Sequence, residues 1–420
     1  MKKLLLALLL SATAANGQKN PILFQHVRVF DGTAVIANTN VIIEAGKIRE
    51  IGPDAKDPKA QVIDGAGKTV LPGLIDSHVH IHSAEALQQA LVFGVTFEFD
   101  MMMAVRRMKA LKATDDTSMA SFWSAGILAT APGGHGTEYG MEIPTITTAK
   151  DAQGWVDDRL AEGSDYIKIV YDDASEYGGR RTRPTLSKAI MKALIDAAHN
   201  RGKLAVVHIG SEWQAHDAID AGADGLAHLF VGSGCDKNFG QFVASHHAFV
   251  IPTLTVLHSI CGPTSSRREL ITDPNLAPFL TASDVQRLRG TFPSANFGLS
   301  CGGANKAIQE LKAAGVPVLA GTDAPNPGTE YGVSLHEELL LLVQAGLTPT
   351  EALVAATAAP AQAFHISDRG YIAPGLRADL VLVKGNPAED ILATRNIVAV
   401  YKDGIQDDRD AYMAQVKRSQ

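Results

Sequence analysis

A chain of 420 residues exceeds a single small module and suits one large domain, or a domain with an appendage. Hydrophobic residues make up 46% and charged residues 20%, so a large core can be buried and global disorder is excluded. The 38 basic and 45 acidic residues leave a net charge of −7, which gives no sign of a nucleic-acid partner or of an anionic-lipid surface.

In chain order, the first element is an address. Lys2 and Lys3 precede the apolar run Leu4 to Leu10, and small residues follow to Gly17. This is the pattern of a cleavable signal peptide over residues 1–17. The run is far short of the roughly 20 apolar residues that span a bilayer. No cysteine stands near the cleavage region to carry a lipid. The mature protein is therefore expected to be secreted or periplasmic, without a membrane anchor. Residues 18–70 read as short strands such as Val27 to Phe30, Val41 to Ile43, Ile48 to Ile51 and Val62 to Asp64, separated by turn signals. Residues 370–420 do the same, with strands at Ala378 to Val383 and Ile397 to Tyr401. Two strand-rich ends predict one small β-sandwich domain formed by both termini.

Between them, residues 71–369 alternate. Apolar, β-rich runs fall near 72–78, 94–99, 124–130, 165–170, 204–208, 224–228, 248–252 and 316–322. Helix-period stretches such as Leu186 to Asn200 separate most of them. Eight such units predict an α/β fold, a (β/α)8 TIM barrel. A doubly wound sheet would want a glycine-rich turn after its first strand, and none is present. Cys235, Cys261 and Cys301 have no CxxC spacing and allow at most one bridge.

Chemistry concentrates at the ends of these runs. His78 and His80 close the first run at i, i+2, so their side chains share one strand face and can meet one metal ion. Lys168 sits inside the apolar run Tyr166 to Val170, where a lysine is costly unless paired or neutralised. His208, His228 and Asp323 end the fifth, sixth and eighth runs. Five runs thus deliver a metal-competent group at the carboxyl face, where such barrels keep their active sites. His199, His216, His246, His247 and His365 read as structural.

These residues, with the phrase Leu71-Pro72-Gly73-Leu74-Ile75-Asp76-Ser77-His78-Val79-His80, Gly94-Val95-Thr96, the run Gly222 to His228 and Gly321-Thr322-Asp323, make nearly the whole mature chain resemble the amidohydrolase superfamily. The resemblance implies a binuclear centre of two divalent metal ions. His78, His80 and Asp323 would hold one ion, and His208 and His228 the other. A carboxylated Lys168 would bridge them. Zinc is the default ion for a His-rich, oxygen-bridged site. The mechanism so implied is attack by metal-activated hydroxide, with Asp323 as the proton shuttle.

Ala131-Pro132-Gly133-Gly134-His135-Gly136 resembles the Gly-Gly-His-Gly loop of prolidase-like enzymes, the Xaa-Pro dipeptidases and N-acyl-amino-acid hydrolases that include ochratoxin-degrading ones. On that likeness His135 binds substrate and donates a hydrogen bond to the carbonyl oxygen as charge builds there. Tyr171 and His258 are further candidates for substrate contact, with core packing as the alternative. Arg180, Arg181 and Arg183 read as a solvated loop, or as a bidentate contact to a carboxylate. Phe97 to Met103 departs from the group's usual phrase, and Met101, Met102 and Met103 either line a soft pocket or pack the core. The expected reaction is hydrolysis of an amide or peptide C–N bond in a small, carboxylate-bearing substrate such as a dipeptide or N-acyl amino acid. Lactone, ester or organophosphate hydrolysis is the alternative on the same site. Homo-oligomers are common among similar proteins, but no stripe here specifies one.

Overall fold

The computed structural model describes residues 20–114, 116–177, 182–262 and 269–419. The expected signal segment and two of the three arginines, Arg180 and Arg181, lie outside them.

Eight strands from the two ends form one sheet. β1 (Ile22–Phe30), β2 (Val35–Glu44), β3 (Lys47–Gly52), β4 (Gln61–Asp64) and β5 (Lys68–Pro72) come before the barrel, and β13 (Leu380–Lys384), β14 (Ile397–Lys402) and β15 (Ile405–Gln406) after it. The order is β15-β14-β13-β5-β1-β2-β3, with β4 beside β1. Phe24, Val27 and Val29 of β1 share one apolar core with Val41 and Ile43 of β2 and Leu380 and Leu382 of β13, a bulge at His26 (φ +56°) resetting the alternation between Phe24 and Val27. This is the expected sandwich-like domain. It also buries charge. Lys402 Nζ donates to Asp379 at 2.8 Å, the Asp403 amide donates to the same carboxylate at 2.8 Å, and Arg377 pairs with Asp403. The last helix, Arg409–Ser419, leaves this domain. Arg409 Nε donates to the Val92 carbonyl at 2.9 Å, and its guanidinium lies 4.2 Å over the Phe279 ring. Arg409 thus ties the start of the final helix to the barrel.

The barrel strands are β6 (Leu74–Val79), β7 (Val95–Asp100), β8 (Ser121–Ser124), β9 (Ile167–Val170), β10 (Ala205–His208), β11 (Gly225–Ala227) and β12 (Phe249–Ile251). They form two parallel sheets, β6-β7-β8 and β9-β10-β11-β12. A bridge between Ala129 and Ile169 joins the two. The other gap is filled by 316–324, which bonds on both sides: Leu319 N to Val250 O at 2.9 Å, Ser77 N to Ala320 O at 2.8 Å and Asp323 N to His78 O at 2.7 Å. The ring thus closes with eight positions. Two depart from the sequence expectation. The third strand stops at Ser124 rather than spanning 124–130, because Gly126 turns out of the ladder at φ +63°. The eighth is no regular strand, since Pro317 brings no donor.

One connection is long. After β12 comes helix Leu254–Cys261, and the next helix of the outer ring is Gly302–Ala313. The excursion between them carries helix Ala282–Leu288 and the 3₁₀ turns Ala277–Phe279 and Pro293–Phe297. A Cys261–Cys301 disulfide closes its base, with Cα atoms 6.0 Å apart, and Cys235 is free. Farther on, Thr348 caps helix Pro349–Ala355 through a capping box with Glu351. Among the described residues no helix is long and apolar enough to cross a membrane.

Candidate metal centre

The strand ends converge as the alternation requires. His78, His80, Lys168, His208, His228 and Asp323 all line one cavity of about 430 Å³ at the carboxyl face of the barrel. His78 Nε2 and His80 Nε2 stand 3.3 and 3.1 Å from Asp323 Oδ1. These three form a cluster whose ligand atoms all lie within 4.8 Å of one another. His208 Nδ1 and His228 Nε2 are 3.1 Å apart, and the His78 and His228 rings are 4.6 Å apart. Three residues here hold left-handed backbone, Asp323 at φ +57°, His228 at +73° and Thr253 at +49°. Such conformations cost about 1–3 kcal/mol each and gather where geometry serves chemistry.

Burial sets the protonation. His78 and His228 are held well below the ordinary imidazole value, chiefly by desolvation and then by neighbouring positive groups. Desolvation brings His208 to about 4, against the pull of Asp172. These rings are neutral near pH 7, the form that offers a lone pair to a metal. For His80 burial acts downward, but the contact with Asp323 outweighs it and the pKa is raised. Lys168 is 1% exposed, and its Nζ has no hydrogen-bond partner. Desolvation lowers it to about 7, only partly offset by Asp323 and Asp100. The buried Nδ1 of His78 is also unpartnered. Imidazole nitrogens and a carboxylate brought together in this way fit a divalent cation.

A supporting layer fixes the cluster, and the sequence reading missed it. Thr253 Oγ1 lies 2.6 Å from His228 Nδ1, which leaves Nε2 facing the site. Asp172 Oδ2 lies 3.5 Å from His208 Nε2. The Tyr331 hydroxyl donates to the His80 carbonyl at 2.6 Å, and Asn326 Nδ2 donates to the Asp323 carbonyl at 2.7 Å. Thr253 follows the seventh strand as His208 and His228 close theirs. Its position just past a strand end was the available signal.

The expected substrate residues divide. His135 lines the cavity, its Nδ1 2.9 Å from Glu138 Oε1. Glu138 also pairs with Arg183. Burial raises the Glu138 carboxyl, but His135 and Arg183 outweigh it and hold it at about 2. Arg183 and Tyr177 line the same cavity. Tyr171 does not: it belongs to the same buried apolar cluster as Ile167 and Ile169, its ring meets Trp213 edge-on with centroids 5.8 Å apart, and its hydroxyl donates to Asp217 at 2.9 Å. His258 is likewise absent from the cavity wall, where its helix presents Val256, Leu257 and Ile260. Met101, Met102 and Met103 are all buried in apolar clusters and none lines the cavity.

Comparison with known proteins accords with this architecture. The family model described as "Amidohydrolase family" matches residues 69–406. Imidazolonepropionase of Cereibacter sphaeroides is 26% identical over 398 residues, covering 86% of this chain and 92% of that protein. Among solved structures, a putative prolidase from Bifidobacterium longum superposes with a TM-score of 0.72 at 24% identity, covering 95% of this chain and 99% of the other. The A. niger ochratoxinase gives 0.68 at 19% identity, covering 92% and 95%. The chain belongs to the amidohydrolase family and is a metal-dependent hydrolase acting on C–N bonds.

Proposed function

We propose, with membership of the amidohydrolase family as premise, that this protein is an exported hydrolase that cleaves the amide or peptide C–N bond of a small carboxylate-bearing substrate. The observation that carries the reading is the cluster of buried His78 and Asp323 with half-buried His80, beside unpartnered Lys168 in one cavity. His78, His80 and Asp323 would hold one divalent ion, zinc by default, and His208 and His228 a second. Lys168, carboxylated, would bridge them. Its lowered pKa leaves much of the amine neutral near pH 7, the form that adds carbon dioxide. Bound ions supply Lewis acidity, making water more acidic and a carbonyl more electrophilic.

The chain's own residues do the rest. Asp323 takes the proton of the attacking water and delivers it to the leaving nitrogen as the C–O bond forms and the C–N bond breaks. His135, oriented by Glu138, donates from its other ring nitrogen to the carbonyl oxygen. Arg183 supplies guanidinium N–H groups for the substrate carboxylate. The names of the relatives support a small substrate of this kind, an imidazolonepropionate in one case and a proline peptide in another. The disulfide supports export, because disulfides persist in oxidising compartments.

The test is a mass-spectrometric screen of zinc-loaded protein against dipeptides, N-acyl amino acids, an imidazolone, lactones and a phosphotriester. Cleavage confined to amides that bear a free carboxylate is expected. Turnover of lactone or phosphotriester alone would replace this reading with the alternative chemistry.

A further inference from the structure

The catalytic cavity has unlike walls. The barrel rim supplies imidazoles and Asp323, and the His135 loop with Arg183 supplies a second polar side. The remaining side belongs to the excursion after β12. Helix Leu254–Cys261 turns Val256, Leu257 and Ile260 to the cavity, positions i, i+1 and i+4 on one helical face, and Phe292 extends that face. Nothing in the metal chemistry requires this apolar surface.

This wall is braced rather than loose. The Phe292 amide donates to the Ser259 carbonyl at 3.1 Å, and Ser294 Oγ donates to the Ile260 carbonyl at 3.3 Å. Ser259 Oγ donates to the Pro327 carbonyl, which ties the helix to the loop that follows Asp323. Cys261, one residue beyond Ile260, is bonded to Cys301, the N-cap of the outer-ring helix Gly302–Ala313. The excursion is therefore closed covalently at its base, beside the residues that face the cavity. A cross-link of this kind removes conformations in which the two flanks separate.

We propose that helix Leu254–Cys261, stapled by the Cys261–Cys301 disulfide, is the specificity wall of the active site, and that the substrate carries a branched aliphatic or aromatic group packed on Val256, Leu257 and Ile260. The inference rests on the hydrolase reading above and narrows its substrate class. Water is held poorly by such a surface, so an apolar group gains by displacing it. A fixed wall at one distance from the metal cluster also ranks apolar groups by size, where a mobile one would accept all.

The experiment uses the full mature protein, zinc-loaded, with N-acyl amino acids and dipeptides that place glycine, leucine or phenylalanine on either side of the scissile bond. The parent is expected to favour leucine or phenylalanine over glycine in kcat/KM by at least about tenfold on one side of the bond. Ile260→Ala should shrink that ratio about tenfold, mostly through KM. A Cys261→Ser/Cys301→Ser variant should shrink it in the same direction. Equal cleavage of the three residue types by the parent, or a ratio unmoved by Ile260→Ala, overturns the proposal while the hydrolase reading stands. A preference that survives opening the disulfide overturns the staple. Failure to cut any amide sinks the hydrolase reading, and calorimetry then judges the wall by itself. Tighter binding of 3-phenylpropionate than of acetate by the parent, lost in Ile260→Ala, supports it, and equal binding overturns it.

Discussion

Lys168 in the barrel and Lys402 in the terminal sheet are both buried lysines on strands, exposed by 1% and 2%. Desolvation lowers both. Around Lys402 the sheet supplies Asp379 at 2.8 Å, and Arg369 and Arg377 surround the same carboxylate at 3.6 and 3.7 Å. Lys168 has no partner atom, only Asp323 and histidines around a cavity. In the terminal sheet the chain itself supplies the buried lysine with a carboxylate partner. In the barrel the chain leaves Lys168 without one, and the centre proposed above would complete it from outside the chain.

The sharpest way to test that contrast is Asp323→Asn. The fold should persist by circular dichroism while turnover falls by about 10³-fold or more, since the shuttle is removed without emptying the core. Wild-type rate with saturating metal would show that Asp323 is not the base. Next come the two lysines. Lys402→Met strands the Asp379 carboxylate among fewer partners and should cost about 3 kcal/mol in denaturant unfolding. Lys168→Met removes a buried amine that has no hydrogen-bond partner in the chain, so metal-free protein should be as stable as the parent or more so, while metal binding and activity are lost. Equal destabilisation by both would erase the distinction between the regions.

Smaller effects refine the barrel side. Thr253→Val frees His228 Nδ1 from its partner and should weaken metal binding by about 10–100-fold in calorimetry, with Thr253→Ser restoring it. For stripped protein, reloading with metal and bicarbonate should be several-fold faster at pH 8 than at pH 6. Lys168 titrates near 7, and its amine is neutral above that value and charged below it. Smallest is Tyr171→Phe, which removes a hydrogen bond to Asp217 outside the cavity. It should cost about 1 kcal/mol of stability and leave KM within about twofold.

The ligand-bearing strand ends could be read from residue order, because the carboxyl ends of parallel strands must meet at one face of a barrel. Period two also held the answer for Tyr171. Residues 167, 169 and 171 share the helix-facing side, opposite Lys168, as alternation along the strand requires. At period 3.6, His258 stands off the face shared by Val256, Leu257 and Ile260. Tyr177, Arg183 and Phe292 reach the cavity from irregular chain, where no period predicts direction. The closing segment 316–324 was found by its apolar run, but Pro317 denied it a regular ladder.

The sheet built from both ends also sets a timetable. Thr69 Oγ1 donates to the Gly385 carbonyl at 2.6 Å, across a sequence separation of 316 residues. During synthesis β1 to β5 emerge first and wait for β13 until nearly all the barrel has been made. Their outer edge stays open through that interval, a template for wrong pairing. The chain's vulnerability to aggregation thus belongs to its birth more than to its finished state, and lies outside the barrel that carries its chemistry.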